Sequence, residues 1–367
     1  REQGLSAALA DRKAWGKMRM SPTDLADVNG NTYTYLANGR TEADDWTGLF
    51  APGERIRLRF VNGAAMTFFD VRIPGLKLTV VAADGLNIKP VEVDEFRIAP
   101  AETFDVIVQP DRDDAYVVFA QAMDRSGHAR ITLAPRMGMR APSPALDKRA
   151  LLTMDDMGHG GQAMAGGEMR CGASMGMEGG CGANMAGMSH GGAMQAHPAS
   201  ETGNPDVDMQ TMSPTPRLDD PGIGLRDNGR RVLRYADLRS LHAPADGREP
   251  GREIELHLTG HMERFTWGFD GIKFSDAEPI RLKYGERLRI TLVNDTMMEH
   301  PVHLHGMWSD LEDGDGKFLV RKHTISIPPG TKRSFRVTAD ALGRWAFHCH
   351  MLMHMEAGMM REVRVEE

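Results

Sequence analysis

Two short histidine-rich stretches near the C-terminus hold the residues able to do chemistry. One is His300-Pro301-Val302-His303-Leu304-His305; the other is His348-Cys349-His350, followed by His354 and Met359. Arg344-Trp345-Ala346-Phe347 leads into the second with the aromatic character of a buried β-strand. Side chains of a strand alternate between its two faces. His348 and His350 therefore point one way and Cys349 the other. If the first stretch is also extended, His303 and His305 share a face and His300 takes the opposite one. Two such strands side by side present two metal sites back to back, joined through one cysteine. Cys349, His300 and His354, with Met359 as a weak axial thioether, make the two-His, one-Cys set that suits blue copper and electron transfer. Zinc would favour four strong tetrahedral ligands and gains nothing from a thioether. The all-imidazole face suits a copper that meets oxygen. A single His-x-His on a strand is more often incidental than a site, but six His and one Cys gather here in a chain with 14 His.

His-Pro-Val-His-Leu-His-Gly at 300–306 and His-Cys-His-x3-His-x4-Met at 348–359 resemble the two C-terminal copper signatures of multicopper oxidases. The resemblance implies that His300, Cys349, His354 and Met359 hold a type 1 copper. It makes His303 a type 2 ligand and His305, His348 and His350 type 3 ligands. In that family a reductant gives electrons to the type 1 copper. They pass through the cysteine and its flanking histidines, here Cys349, His348 and His350, to a trinuclear cluster where dioxygen becomes water. Asp-Glu-Phe-Arg-Ile-Ala at 94–99 and a Met-rich middle resemble the periplasmic copper-resistance branch. That branch implies Cu(I) as substrate, phenols as a further substrate class and the periplasm as the compartment. The family's cluster takes eight imidazoles, and this chain offers four. The expectation is that a missing N-terminal cupredoxin domain supplies the rest, leaving the chain alone able to hold a type 1 copper but not to reduce dioxygen. A copper-binding or sequestering protein without turnover is the rival reading.

The elements that must position these residues are legible around them. A chain of 367 residues has room for two domains, each with its own core. Its 44 basic and 51 acidic residues give a net charge of −7, which does not suit a nucleic-acid surface. No apolar run reaches the roughly 20 residues needed to span a bilayer, so no membrane segment is expected. The chain starts at Arg1 with no signal peptide, as a processed product or fragment would. Of three cysteines, Cys349 must stay a thiolate to bind metal, leaving Cys171 and Cys181 as a disulfide, a Cu(I) pair or neither.

The pattern predicts an all-β fold of two cupredoxin-like sandwich or barrel domains, residues 1–135 and 226–367. A Met/Gly-rich flexible segment, 136–225, joins them. Leu5 to Trp15 reads as a short helix. Ile56, Leu58 and Phe60 alternate with arginines as a strand with one wet face, and further strands follow at sandwich spacing. Gly53-Glu-Arg-Ile-Arg-Leu-Arg-Phe-Val-Asn62 is echoed by Gly285-Glu-Arg-Leu-Arg-Ile-Thr-Leu-Val-Asn294. Carried forward, the echo sets Phe68, Val71 and Ile73 opposite His300, His303 and His305, and Ala120-Gln121-Ala122 opposite His348-Cys349-His350. The first domain is thus expected to be a copper-free copy, with His128 an ordinary surface or turn residue.

Half of the 26 Met lie between Met137 and Met212. A Gly/Met/Ala tract to about Ala196 cannot bury enough apolar surface to fold alone, so a mobile loop is expected, with a brief helix near Met154. Thioethers prefer Cu(I), and His159, His190 and His197 add stronger ligands for copper capture. His257 and His261 read as structural. His323 reads as a surface or supporting residue, and the acidic run Asp310 to Asp315 as an attractor of cationic copper.

Overall fold

The computed structural model describes residues 4–17, 20–159 and 194–367. The arginine-striped segment is a strand, Ile56–Val61, along which half-buried and exposed residues alternate. It is the second of nine strands in the first unit: β1 (Thr47–Leu49), β2 (Ile56–Val61), β3 (Phe69–Arg72), β4 (Leu78–Ala83), β5 (Leu86–Val93), β6 (Glu95–Ile98), β7 (Thr103–Val108), β8 (Tyr116–Ala122) and β9 (His128–Ala134). A helix, α1 (Leu5–Lys17), precedes them. The second unit holds β10 (Arg252–His261), β11 (Thr266–Phe269), β12 (Ile280–Lys283), β13 (Arg287–Asn294), β14 (His300–Leu304), β15 (Ser309–Glu312), β16 (Phe318–Lys322), β17 (Thr324–Ile327), β18 (Lys332–Thr338), β19 (Gly343–Cys349) and β20 (Met360–Glu366). One short helix, α2 (Leu352–Glu356), sits between its last two strands.

The sheets of the two units correspond. One sheet runs β1-β9-β8-β3-β6 in the first unit and β12-β20-β19-β14-β17 in the second. The outer pair is parallel in both, β1 with β9 and β12 with β20. The facing sheets, β2-β7-β4-β5 and β13-β18-β15-β16, match as well, with β10 and β11 added to the second. Pairing register shows the copy residue by residue: Val71 faces Ala120 where His303 faces His348, and Asp70 faces Gln121 where Val302 faces Cys349. The echoed asparagines explain part of the repeat. Asn62 donates to the carbonyls of Thr67 and Ile98, and Asn294 to those of Met298 and Ile327 (2.7–3.0 Å). Each pins the loop that enters the central strand, which in the second unit carries His300.

Between the sheets, Phe96 and Phe104 are fully buried in the first unit, and Trp267, Phe269, Phe335 and Phe347 in the second. Each such side chain contributes about 1.5–3 kcal/mol of burial. At the place of Val302, the residue that faces the cysteine in the second unit, the first holds an ionic knot: Asp70 pairs with Arg97 at 2.8 Å and Arg125 at 2.6 Å. The units meet through Lys322, which is fully buried and lies 3.0 Å from Asp84 and 3.2 Å from Glu102.

Three local expectations change. Residues 154–158 form a turn instead of a helix. There Thr153 and Asp156 form a reciprocal helix-start box (2.8–3.2 Å), but Gly158 at a φ of 73° ends the structure after one turn. The flanks of the Met-rich stretch are packed: Leu152, Met157, Glu201 and Thr211 are buried. Residues 160–193, with Cys171, Cys181 and His190, lie outside the described residues. The acidic run presents only its distal half: Asp310 and Glu312 are buried in β15 and paired with Arg287 and Arg321, and with Arg289 and Arg336, whereas Asp315 stays exposed beside Lys317.

Candidate metal centre

Strand alternation does what the sequence implies. His300 and Val302 lie on the face of β14 that Cys349 shares, while His303 pairs with His348 on the other. His354 is brought round by the single turn of α2, whose start is fixed by Leu352 N–H donating to the Ala65 carbonyl of the first unit (2.9 Å). The result is a buried trio. Cys349 Sγ is 3.6 Å from His300 Nδ1, which is 3.2 Å from His354 Nδ1, and all three atoms lie within 4.8 Å of one another. Met359, fully buried, is tied to both by its backbone: its N–H donates to the His354 carbonyl (2.9 Å) and its carbonyl accepts from Cys349 N–H (3.1 Å).

The outer ring nitrogens are already engaged. His354 Nε2 donates to Asp27 Oδ2 at 2.6 Å, and His300 Nε2 lies 2.6 Å from the Thr296 hydroxyl. Both Nδ1 lone pairs are thereby turned toward the sulfur, as outer-shell partners fix the tautomer of a metal-bound imidazole. Trp267 stacks on His354 with centroids 3.8 Å apart, closing the pocket. Burial drives the His300 imidazole well below its usual range and lowers that of His354 against the pull of Asp27. It pushes the Cys349 thiol far up. Without a cation this pocket holds a neutral thiol and neutral rings. A soft or borderline cation displacing the thiol proton satisfies all three, and copper fits that donor set.

Behind Cys349 the other four imidazoles meet. His303 and His305 rings are 4.5 Å apart, His305 and His348 5.2 Å, His348 and His350 5.5 Å, and His303 and His350 6.0 Å. His303 Nδ1 donates to the His323 carbonyl at 2.5 Å and His348 Nδ1 to the Cys349 carbonyl at 2.9 Å, freeing their Nε2 atoms. His305 Nε2 and His348 Nε2 face each other at 3.0 Å. Burial lowers all four, His303 to about 4. Unlike the sulfur pocket, this group is open: His305 is exposed, and with His303, His350, His323, Trp308 and Ala101 it lines a cavity of about 450 Å³.

All eight residues singled out from sequence are therefore in one of these two places. Sequence reasoning missed Asp27, Thr296 and Trp267. His323 is a supporting residue through its backbone, and His128 lies 3.2 Å from Glu42 at the start of β9. His261 pairs with Asp208 (3.2 Å), but His257 joins a second group of titratable side chains with His197, Glu201 and Asp295.

Profiles described as "Multicopper oxidase" match residues 2–135 and 247–367. Copper resistance protein A of Escherichia coli is 64% identical over the whole of this chain, which spans 64% of that relative. The chain belongs to the multicopper oxidase family. Copper resistance protein A of Pseudomonas syringae pv. tomato is 63% identical, again over the whole chain and 65% of the relative's length. Among solved structures, Fet3p, titled a multicopper oxidase that functions in iron import, superposes with a TM-score of 0.58 at 16% identity, over 88% of this chain and 57% of that one. A bacterial laccase-like multicopper oxidase, CueO from Ochrobactrum sp., gives 0.53 at 18% identity, over 91% and 60%. At these identities the multicopper oxidase structures speak for the fold alone, and that fold is the duplicated β-sandwich described above. Copper is the family's cofactor, and the donor set around Cys349 fits it.

Proposed function

We propose that this chain is the electron-entry portion of a copper-resistance oxidase that oxidises Cu(I) and passes electrons toward dioxygen. The observation that carries the reading is the placement of Cys349 Sγ against His300 and His354 while His348 and His350, its chain neighbours, turn into the opposite imidazole group. Copper held at the two places would supply the one-electron chemistry. The protein's part is to connect them: the Cys349 backbone joins the sulfur to both rings, and the His348 Nδ1–H bond to the Cys349 carbonyl (2.9 Å) adds a second link. Burial of Cys349, His300 and His354 excludes water from the electron-entry side. The open cavity leaves the imidazole side accessible to dioxygen and to further ligands.

His303 would serve as a type 2 ligand, with His305, His348 and His350 as type 3 ligands, and Met359 would offer the type 1 copper a weak thioether. Four more imidazoles are then needed, and a cupredoxin domain outside this chain facing the cavity is the proposed source. Phenols are a second proposed substrate class and the periplasm the proposed compartment; no helix among the described residues is long and apolar enough to cross a membrane. The half-open imidazole group also favours a second reading, copper binding without turnover by this chain alone. The test is Cys349→Ser in the whole protein, which should abolish blue colour and Cu(I)-dependent oxygen uptake together. A blue, active variant refutes the assignment. A blue parent that takes up no oxygen with Cu(I) favours sequestration.

A further inference from the structure

His257 on β10, Asp295 just after β13, and His197 and Glu201 on the strap beyond the Met-rich tract converge outside the copper pockets. Their ligand atoms lie within 4.8 Å of one another. His257 Nδ1 is 2.6 Å from Asp295 Oδ2 and 3.8 Å from Glu201 Oε1. His197 Nδ1 is 3.2 Å from both Asp295 Oδ2 and Glu201 Oε2. A tetrahedral cation bound at about 2.0–2.2 Å sets its donors roughly 3.3–3.6 Å apart, a spacing these distances bracket. Glu201 and Asp295 side chains are fully buried. Glu201 Oε1, facing the centre of the group, nevertheless has no hydrogen bond, while His197 Nδ1 has only the two carboxylate oxygens at 3.2 Å. Buried polar atoms without partners are uncommon and call for a ligand.

The outer atoms are organised as they are around Cys349. His197 Nε2 donates to the Thr211 carbonyl at 3.0 Å, and His257 Nε2 lies 3.3 Å from the Glu255 carboxylate. Asp295 Oδ1 accepts the Thr211 N–H at 2.6 Å, and Gln210 donates to Glu201 Oε2 at 2.9 Å. Each imidazole thus has its Nε2 engaged and its Nδ1 turned inward, the arrangement outer-shell acceptors impose on metal ligands. In the absence of an ion, the same group would persist as protonated rings against carboxylates.

We propose that His197, Glu201, His257 and Asp295 form a third metal site, for a divalent first-row cation with a preference for mixed nitrogen and oxygen donors. Zn(II) and Cu(II) share that preference. The ion fastens the strap that follows the Met-rich tract to β10 and to the loop leading into His300. Asp295 adjoins Thr296, whose hydroxyl meets His300, so the site also braces the electron-entry pocket from behind.

The test titrates Zn(II) and Cu(II) separately into the whole protein in a Cys349→Ser background, which removes the sulfur site. Calorimetry supplies affinities, and anomalous scattering at each metal's absorption edge gives the location. One ion should lie among the four residues, and Glu201→Gln and His257→Asn should each weaken binding at least tenfold while the circular dichroism stays that of the parent. Should His257→Asn misfold, the isosteric Glu201→Gln still decides. Anomalous density for zinc or copper identifies which source of the shared chemistry is held. Absence of density at saturating metal, or unchanged affinity in Glu201→Gln, overturns the proposal and leaves an ion-pair network. The oxidase reading does not depend on the result.

Discussion

Asp27 belongs to the first unit, yet its carboxylate holds His354 of the second. Oδ2 accepts from His354 Nε2–H at 2.6 Å, with the imidazole fully buried and the carboxylate nearly so. A hydrogen bond to a charged group contributes about 1.5–3 kcal/mol, more than a neutral bond of the same length. Asp27→Asn keeps the shape and one acceptor but removes the charge, and it lets the amide present a donor to the ring instead. The ring then loses its bias toward the tautomer that directs Nδ1 at Cys349 and His300. At about 1.4 kcal/mol per factor of ten, the loss corresponds to roughly 10–100-fold in copper affinity, the range seen when outer-shell partners of metal-bound histidines are removed. The blue absorption and the reduction potential should shift as well, since both report the electronics at the sulfur. Competition with a Cu(I) chelator measures the first effect and redox titration the second, with circular dichroism confirming the fold. A folded Asp27→Asn protein with parental copper affinity and potential would show that the bond only ties the two units together.

Removing Lys322 tests that tie directly. Lys322→Met leaves Asp84 and Glu102 buried without their cation and should cost about 3–5 kcal/mol in urea unfolding; a loss under about 1 kcal/mol would mean that solvent reaches the pair. Acid should also weaken the copper-free protein. The unfolded His303 ring takes up its proton near pH 6.5 and the folded ring only near 4. Between those values the unfolded state holds the extra proton, so stability is complete above about pH 6.5 and falls as pH drops through about 4. The linkage is at most about 3 kcal/mol for His303 before solvent screening. Burial acts in the same direction on the other imidazoles of the two sites. Chelated protein that melts at the same urea concentration near pH 7 and near pH 4.5 would contradict this.

What the sequence made legible, and what it hid, divides by distance along the chain. The two faces around Cys349 could be read because a strand's alternation is a local rule, and His348, Cys349 and His350 obey it within three residues. The repeat was legible for a related reason: Asn62 and Asn294 close the same loop in each unit, so the same residue recurs at the same place. His354 follows no strand rule, and only the short helix α2, hidden in a run of methionines, turns it back to the sulfur. Asp27 is beyond any local pattern, since 327 positions separate it from the ring it holds.

The first half of the acidic run misled for the converse reason. A sequence displays the carboxylates of Asp310 and Glu312 but not the arginines that sheet pairing and packing bring to them from other strands. The neighbours of His257 were hidden by the same blindness, because Glu201, Asp295 and His197 reach it from 56, 38 and 60 residues away. Single histidines and carboxylates are common enough that spacing cannot distinguish such a group from chance, whereas converging ring nitrogens with their far sides already engaged can. That is the observation shared by the Cys349 pocket and the His197–His257 group, and it makes metal affinity, measured ligand by ligand, the decisive quantity for both.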